Sequence, residues 1–175
     1  TINCKKKIKG TYFPPGDKSI SHRILILTGQ AVGESQISNL LEGEDVLNTL
    51  KVMKMLGANI KKKDGKYIVF GLPPGALFEP TKSLDFGNSG TGIRLLSGII
   101  SSNNLKAKLI GDKSVSARAM SRVTDDLKKI GAIIKLRKYS FPTMSIQGVG
   151  DAVPFKYDIL IPSAQIKSAI MLSAL

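Results

Sequence analysis

Cations and hydroxyl groups cluster at the start of a predicted helix whose next residues are aliphatic. The cluster contains Lys18, Ser19 and Arg23, and it follows residues 14–16 (Pro-Pro-Gly), which end an extended segment. Asp17 or Ser19 can cap a helix at this point. The N-terminus of a helix presents free backbone N–H groups to an anion, and nearby cations strengthen that preference. The stretch therefore predicts an anion-binding site at the start of a buried helix.

Two later stretches have the same character. Residues 87–92 are rich in glycine and hydroxyls, residues 163–165 read Ser-Ala-Gln, and each stretch precedes an apolar segment. The three starts fall at Ser19, Ser89 and Ser163, which gives intervals of 70 and 74 residues. Such a regular period is typical of an internal repeat. If the units are related by symmetry, the three apolar helices are parallel and their N-termini meet on one face.

The repeat predicts an α/β (α+β) fold in which each unit has the order β-α-β-α-β-β. Glycine-alanine pairs at 57–58 and 131–132 lie 74 residues apart, and each ends a predicted amphipathic helix, the first of which is capped by Asp45. The third unit is truncated after its first helix. The predicted helices cover about 19–32, 45–56, 89–100, 116–130 and 163–175, and the predicted strands cover 7–13, 35–39, 58–63, 66–70, 84–86, 105–110, 132–138, 143–147 and 157–161.

The composition narrows the classes of partner. A net charge of +13 favours a polyanion, but aromatic residues make up only 6% of the chain and tryptophan is absent. The lysine runs at 5–7 and 61–63 fall in predicted strands, so a small anionic substrate explains the charge better than nucleic acid does. Nucleic acid is therefore not an expected partner. A membrane is not expected either, because no apolar run reaches the ~20 residues of a membrane helix. The single cysteine, Cys4, fits a reducing, cytoplasmic compartment.

Other chemistries are weaker candidates. Gly16-Asp17-Lys18-Ser19 has the wrong order for a phosphate-binding P-loop, and residues 87–92 follow G-x-x-G-x-G, which differs from the dinucleotide-binding pattern. His22 is the only histidine, so a histidine metal cluster is impossible and no metal site is expected. Arg118 lies at the start of the predicted second amphipathic helix, and it is either a solvent-exposed arginine or a functional residue. The acidic residues Asp45, Asp125 and Asp126 are interpreted as charges at helix starts.

Four motifs together resemble one enzyme family. They are KSISHR at 18–23, LEGED at 41–45, NSGTGIR at 88–94 and SAQIKSA at 163–169. In order and spacing they are similar to the 5-enolpyruvylshikimate-3-phosphate synthases, and Ser-Ala-Gln in place of Ser-Ser-Gln is similar to the subgroup called class II. The similarity covers essentially the whole chain.

The resemblance implies a transferase of the shikimate pathway that is part of aromatic amino acid biosynthesis. Such an enzyme moves the enolpyruvyl group of phosphoenolpyruvate to the 5-hydroxyl of shikimate 3-phosphate through a tetrahedral intermediate, releasing phosphate without metal or organic cofactor. The inhibitor glyphosate occupies the phosphoenolpyruvate pocket. The resemblance assigns Lys18, Ser19, Arg23, Ser163 and Gln165 to shikimate 3-phosphate. It assigns Lys18, Asn88, Gly90, Arg118 and Gln165 to phosphoenolpyruvate, with Thr91 packed behind and Lys18 also the tentative catalytic residue.

The resemblance also implies a division into domains. Residues 1–13 would form a strand of a C-terminal domain, residues 14–175 would form the N-terminal substrate-binding domain, and the catalytic C-terminal domain with its acidic base would be absent. Such a chain would bind shikimate 3-phosphate without turnover, and the full-length enzyme would be a monomer. Two positions depart from the family: Ala119 where proline is usual, and Ala164 where other members have a substrate-binding serine.

Two alternatives remain at this point. One is a relative of UDP-N-acetylglucosamine enolpyruvyl transferase, although that family expects Lys-Asn where this chain has Lys18-Ser19. The other is a non-catalytic polyanion-binding module that uses the net charge of +13. Such a module would bind polyanions generally, with an affinity that falls steeply with salt.

Overall fold

The three predicted apolar helices form, and each begins at a polar cap. The computed structural model describes residues 9–137, 144–159 and 162–175. Asp17 caps the first helix by accepting a hydrogen bond from the Ile20 amide at 2.8 Å, and Ser89 and Ser163 cap the other two with their hydroxyl oxygens. The helices of the described chain are α1 (Lys18–Gly29), α2 (Glu44–Met55), α3 (Gly90–Ser101), α4 (Lys113–Ala117), α5 (Ser121–Leu127), a 3-10 helix (Lys128–Ile130) and α6 (Ala164–Leu172).

Two small sheets accompany these helices. The first is antiparallel with order β1-β3-β2, and the second has order β4-β5-β7-β6, in which β4 is parallel to β5 and the other pairs are antiparallel. The turn at Asp64-Gly65 joins β2 to β3, and both residues have positive φ (48° and 74°), as a tight two-residue hairpin requires. The strands are β1 (Gly33–Ile37), β2 (Asn59–Lys63), β3 (Lys66–Gly71), β4 (Leu84–Asp85), β5 (Lys106–Ile110), β6 (Ile133–Leu136) and β7 (Met144–Gln147).

The mixed α/β class is confirmed, and the two glycine stops behave as the repeat predicts. Gly57 and Gly131 both have left-handed backbones, with φ of 107° and 103°, directly after a helix in each unit. Glycine adopts this conformation without the penalty that a Cβ imposes. In both units the helical segment that precedes the strand pair therefore ends at the same position relative to those strands.

The prediction that the second amphipathic helix is one continuous element is wrong. Instead of one helix over 116–130, α4 ends at Ala117, Arg118 is extended (φ −75°, ψ 142°), and α5 starts at Ser121. The break allows the Arg118 side chain to turn toward Asn88, to which its Nη2 donates at 3.0 Å. Tertiary hydrogen bonding has overridden the local helical pattern here.

Several predicted boundaries also differ from the structure. Asp45 lies inside the first turn of α2, whose N-cap is Gly43, so Asp45 is not a cap. The first and third apolar helices end at Gly29 and Leu172, earlier than predicted. Residues 9–13 and 157–159 have no strand pairing, and the remainder of those two predicted strands lies outside the described residues. A strand requires a partner strand, and within the described chain none pairs with these segments.

Helix α3 lies at the centre of the core. Its apolar side chains are fully buried, and α6 packs along it in the same direction. The direction follows from two contacts, because Thr91 meets Gln165 near both helix starts and Gly98 meets Ala169 further along both helices. Fully buried side chains of α3 are Ile93, Leu95, Leu96, Ile99 and Ile100. In the part of the chain that the structure describes, no helix is both long and apolar enough to span a membrane.

The contact between α3 and α6 is so close that only glycine fits at position 98. A Cβ built on Gly98 would overlap the backbone carbonyl oxygen of Ala169. We expect Gly98→Ala to lower the free energy of unfolding by about 2 kcal/mol, although alanine is the better helix former, because the overlap is with backbone that cannot rotate away. Urea unfolding would measure the change.

Gly150→Ala is the matched control for this change. Its added Cβ would lie 3.5 Å from the Cβ of Asn104, an ordinary contact, so its effect should stay within about 0.5 kcal/mol. Equal stability of the two variants would contradict the close packing described for α3 and α6.

Candidate functional site

The starts of α1 and α6 are joined by Arg23. Its Nε and Nη2 donate to the Ser168 hydroxyl at 3.1 and 2.8 Å, and Nη2 also donates to the Ala164 carbonyl at 3.4 Å. Its Nη1 donates to the Ser19 carbonyl at 3.0 Å, one turn earlier in α1. Arg23 is half-buried, whereas Ser19 is exposed. The guanidinium group thus holds the first turns of two helices together.

The starts of α3 and α6 are joined by Gln165. Its Oε1 accepts from Arg94 Nη1 at 2.9 Å, and its Nε2 donates to the Thr91 hydroxyl at 3.0 Å. Ser163 lies beside it as the cap of α6, with its hydroxyl oxygen 3.4 Å from the Ile166 amide nitrogen. Arg23 and Gln165 therefore bring all three predicted helix starts to one face of the molecule, as the repeat predicts.

Asn88 and Arg118 form the outer edge of this face. The Asn88 Oδ1 accepts from Arg118 Nη2 at 3.0 Å, and its Nδ2 donates to Asp112 Oδ2 at 2.8 Å. Arg118 also donates to the Ser114 hydroxyl at 3.2 Å and is otherwise exposed. The side-chain amide of Asn88 thus connects the loop before α3 to the residues at the two ends of α4.

Gly90 is the point at which two guanidinium groups approach the start of α3. A Cβ at this position would overlap Arg118 Nη1 and lie 3.2 Å from Arg94 Nη1. The absence of a side chain at Gly90 therefore leaves space in which both arginines face the bare N-terminal turn of α3. Two guanidinium groups and a helix N-terminus form a strongly anion-attracting corner.

Lys18 has an acidic partner that the sequence interpretation missed. Its ammonium group forms an ion pair with Asp45, and the side chains are 52% and 22% exposed. The sequence predicts Asp45 as a charge at the start of α2, which is confirmed, and the packing of α2 on α1 also places it beside Lys18. The spacing of 27 residues between the two offers no local signal for this pair, so only the tertiary structure reveals it.

His22 lies fully buried behind Lys18 and Arg23. Its Nδ1 lies 2.8 Å from the Thr49 hydroxyl, and its Nε2 has no hydrogen-bond partner in the described part of the chain. Burial lowers its pKa to about 4; Asp45 opposes the shift, and Lys18 and Arg23 reinforce it. The imidazole is therefore neutral near pH 7 and serves to pack α1 against α2.

Arg94 also lies at this corner, and the sequence identifies it only as the last residue of the motif at 88–94. It lies half-buried within the first two turns of α3, and burial lowers its pKa, with the nearby charges of Arg118 and Arg122 acting in the same direction. Three arginines share this corner, and among the described residues none of them forms an ion pair with a carboxylate. An anionic ligand would relieve the repulsion between them.

The fold and this cationic face define a protein with the enolpyruvyl transferase fold. The solved structure of EPSP synthase from Acinetobacter baumannii superposes with a TM-score of 0.87 at 38% identity, covering 94% of this chain and 37% of that one. A family model described as EPSP synthase (3-phosphoshikimate 1-carboxyvinyltransferase) matches residues 2–175. The chain belongs to the EPSP synthase family.

Curated relatives support the same family, and this chain covers only part of their length. The 3-phosphoshikimate 1-carboxyvinyltransferase of Ruegeria sp. is 47% identical over 169 residues, which is 96% of this chain and 38% of the relative. The enzyme of the same name from Parvibaculum lavamentivorans is 46% identical over 95% of this chain and 37% of its own length. The predicted family is confirmed, and the interpretation as a UDP-N-acetylglucosamine enolpyruvyl transferase relative is not supported. The chain spans less than two-fifths of the length of these relatives.

The buried neutral histidine predicts how stability depends on pH. The folded-state pKa of His22 is about 4, below its ordinary value of 6.5. Below about pH 6.5 the unfolded chain therefore binds a proton that the folded chain excludes, and stability falls as the pH is lowered toward 4. The slope from this residue approaches about 1.4 kcal/mol per pH unit and vanishes above its unfolded pKa.

Urea unfolding between pH 4 and 8 would measure this dependence. His22→Gln is the matched variant, because it keeps a polar side chain that does not titrate, and His22 is the only histidine in the chain. We expect the variant to lose the part of the slope between pH 6.5 and 4. An unchanged slope would show that His22 is not held neutral.

Proposed function

We propose that this chain supplies one side of the active site of an EPSP synthase, which transfers the enolpyruvyl group of phosphoenolpyruvate to the 5-hydroxyl of shikimate 3-phosphate. The observation that carries the proposal is the meeting of three helix starts through Arg23 and Gln165. Both substrates are polyanions, and three N-termini with several cations suit such ligands. Membership of the family supports the choice of these two substrates.

The shikimate 3-phosphate contacts are assigned to the junction of α1 and α6. We place Lys18, Ser19, Arg23, Ser163 and Gln165 there. Support comes from the Arg23 guanidinium, which already holds the Ser19 carbonyl and the start of α6 together. A phosphate group at this junction would receive charge-assisted hydrogen bonds, each worth roughly 1.5–3 kcal/mol.

The phosphoenolpyruvate contacts are assigned to the corner around Gly90. We place Lys18, Asn88, Gly90, Arg118 and Gln165 there, with Thr91 behind as the hydrogen-bond acceptor for Gln165. Support comes from the bare Gly90, against which the guanidinium groups of Arg118 and Arg94 lie close to the start of α3, where they can bind a small anion. In the addition–elimination reaction these groups would stabilise the negative charge of the carboxylate and of the departing phosphate, and Lys18 would lie between the two substrates.

The remainder of the reaction would require the part of the family's length that this chain does not cover. We propose that residues 14–175 form the substrate-binding domain, that residues 1–13 pair with a second domain, and that the second domain supplies the acidic general base and further cations. On this proposal the chain binds shikimate 3-phosphate but does not turn over alone. We also propose that the complete enzyme is monomeric, acts in the cytoplasm and is inhibited by glyphosate.

Calorimetric titration of this chain with shikimate 3-phosphate tests the proposed binding site. We expect saturable binding near one to one, well above that of the controls shikimate and inorganic phosphate. Lys18→Met should weaken it by about tenfold or more, because one charge-assisted contact is lost. Lys61→Met, an equal charge change on the exposed face of β2, should have little effect. Heat no larger than that of phosphate alone would contradict the proposal.

A second prediction concerns the pocket at Gly90. In a chimera that joins this chain to the rest of the Ruegeria relative, Gly90→Ala should raise the inhibition constant of glyphosate by about tenfold or more, because the new methyl group occupies the pocket and displaces Arg118. The Michaelis constant for phosphoenolpyruvate should rise less. Gly150→Ala is the control, and equal inhibition of parent and Gly90→Ala would reject the assignment.

A further inference from the structure

One guanidinium group connects three of the segments that carry the proposed phosphoenolpyruvate contacts. Arg94 Nη1 donates to the Gly90 carbonyl at 3.2 Å and to Gln165 Oε1 at 2.9 Å, and Nη2 lies 3.4 Å from the Ala119 carbonyl oxygen. Ala119 directly follows Arg118 in the chain. Arg94 therefore links the start of α3, the start of α6 and the break between α4 and α5.

The contact with Gln165 also determines which way round that side-chain amide lies. An amide has an oxygen at one end and an NH₂ group at the other, and the two ends have nearly the same shape. Arginine can only donate, so the end that faces Arg94 must be the oxygen. The other end then faces Thr91, whose hydroxyl accepts from Nε2 at 3.0 Å. Thr91 cannot make this choice itself, because a hydroxyl group donates as readily as it accepts.

The orientation of the side-chain amide determines whether Gln165 presents an N–H donor or a carbonyl oxygen to a ligand. One Nε2 hydrogen is used by Thr91, and the second remains to donate to an anion. If the amide were reversed, a carbonyl oxygen would take that place and would repel a phosphate or carboxylate. The direction of this single side chain thus changes a contact from attractive to repulsive.

We propose that Arg94 is a positioning residue that sets the orientation of the Gln165 amide, so that an N–H group faces the anionic substrate. This rests on the proposed function, in which Gln165 contacts both substrates. Arg94 is half-buried and lies in the company of Arg118 and Arg122, with no carboxylate partner in the described part of the chain. Burial and the neighbouring positive charges make a cation unfavourable at this position. The hydrogen bonds to three backbone and side-chain oxygens compensate for this cost and fix the guanidinium group in place.

The test compares two arginines with different contacts and equal charge. Arg94→Met removes the donor but keeps an unbranched side chain. Arg122→Met removes the same charge from an exposed neighbour whose side chain makes no hydrogen bond to the described residues. Shikimate 3-phosphate affinity is measured by calorimetry in both variants, and each is also combined with Gln165→Ala. The side-chain amide signals of Gln165 are recorded by ¹H–¹⁵N NMR in parent and single variants without ligand.

We expect Arg94→Met to weaken binding about tenfold and Arg122→Met to weaken it less than threefold. In the Gln165→Ala background the two changes should have equal effects, since the amide that Arg94 orients is gone. The Gln165 amide signals should move, and their hydrogens should exchange faster, only in Arg94→Met. Arg94→Lys, which keeps a donor, should restore most of the affinity.

Two results would overturn the proposal. One is an Arg94→Met loss of the same size with and without Gln165, which would mean that Arg94 acts on the ligand directly or through its charge. The other is an unchanged Gln165 amide signal in Arg94→Met. If the parent chain does not bind shikimate 3-phosphate, the proposed binding fails, but the ligand-free amide signals still decide whether Arg94 orients Gln165.

Discussion

The close parallel packing of α3 against α6 is the constraint on which the rest of the structure depends. Gly98 allows the α3 backbone to lie against the Ala169 carbonyl, and this contact sets the distance between the two helix axes. At that distance Gln165 reaches both Thr91 and Arg94 across the helix starts. A bulkier residue in the core would separate the helices and break these polar contacts, since interiors are too densely packed to absorb an extra methyl group.

The electrostatics of the face follow from this packing. Arg94 and Arg118 approach the same point near Gly90, and Arg23 crosses from α1 to α6. Each of these arginines donates hydrogen bonds to neutral oxygens, and within the described ranges none of them forms an ion pair with a carboxylate. Lys18 differs, because Asp45 is its partner and limits the excess of charge where α1 begins. The face therefore concentrates positive charge around the three helix starts.

Much of this could be predicted from the sequence, and the errors have a common cause. The three helix starts, the hairpin at Asp64-Gly65 and the glycine stops are local signals, and each is confirmed. The single helix over 116–130 failed because the contact of Arg118 with Asn88 spans 30 residues. The ion pair of Asp45 is missed for the same reason, because its partner Lys18 lies on a different helix, whereas the prediction of a charge at the start of α2 is confirmed. Periodicity carries no information on such pairs.

The sequence by itself determined where the helices begin, that the units repeat and that cations gather at the first helix start. Those properties depend on residue types and on spacing along the chain, which caps, glycines and net charge reveal directly. Only the tertiary structure decided that Arg94 faces the oxygen of Gln165, that His22 is buried and neutral, and that the Arg118 guanidinium lies against Gly90. These properties depend on distances between residues far apart in sequence, and only the packing of α1, α3 and α6 sets those distances.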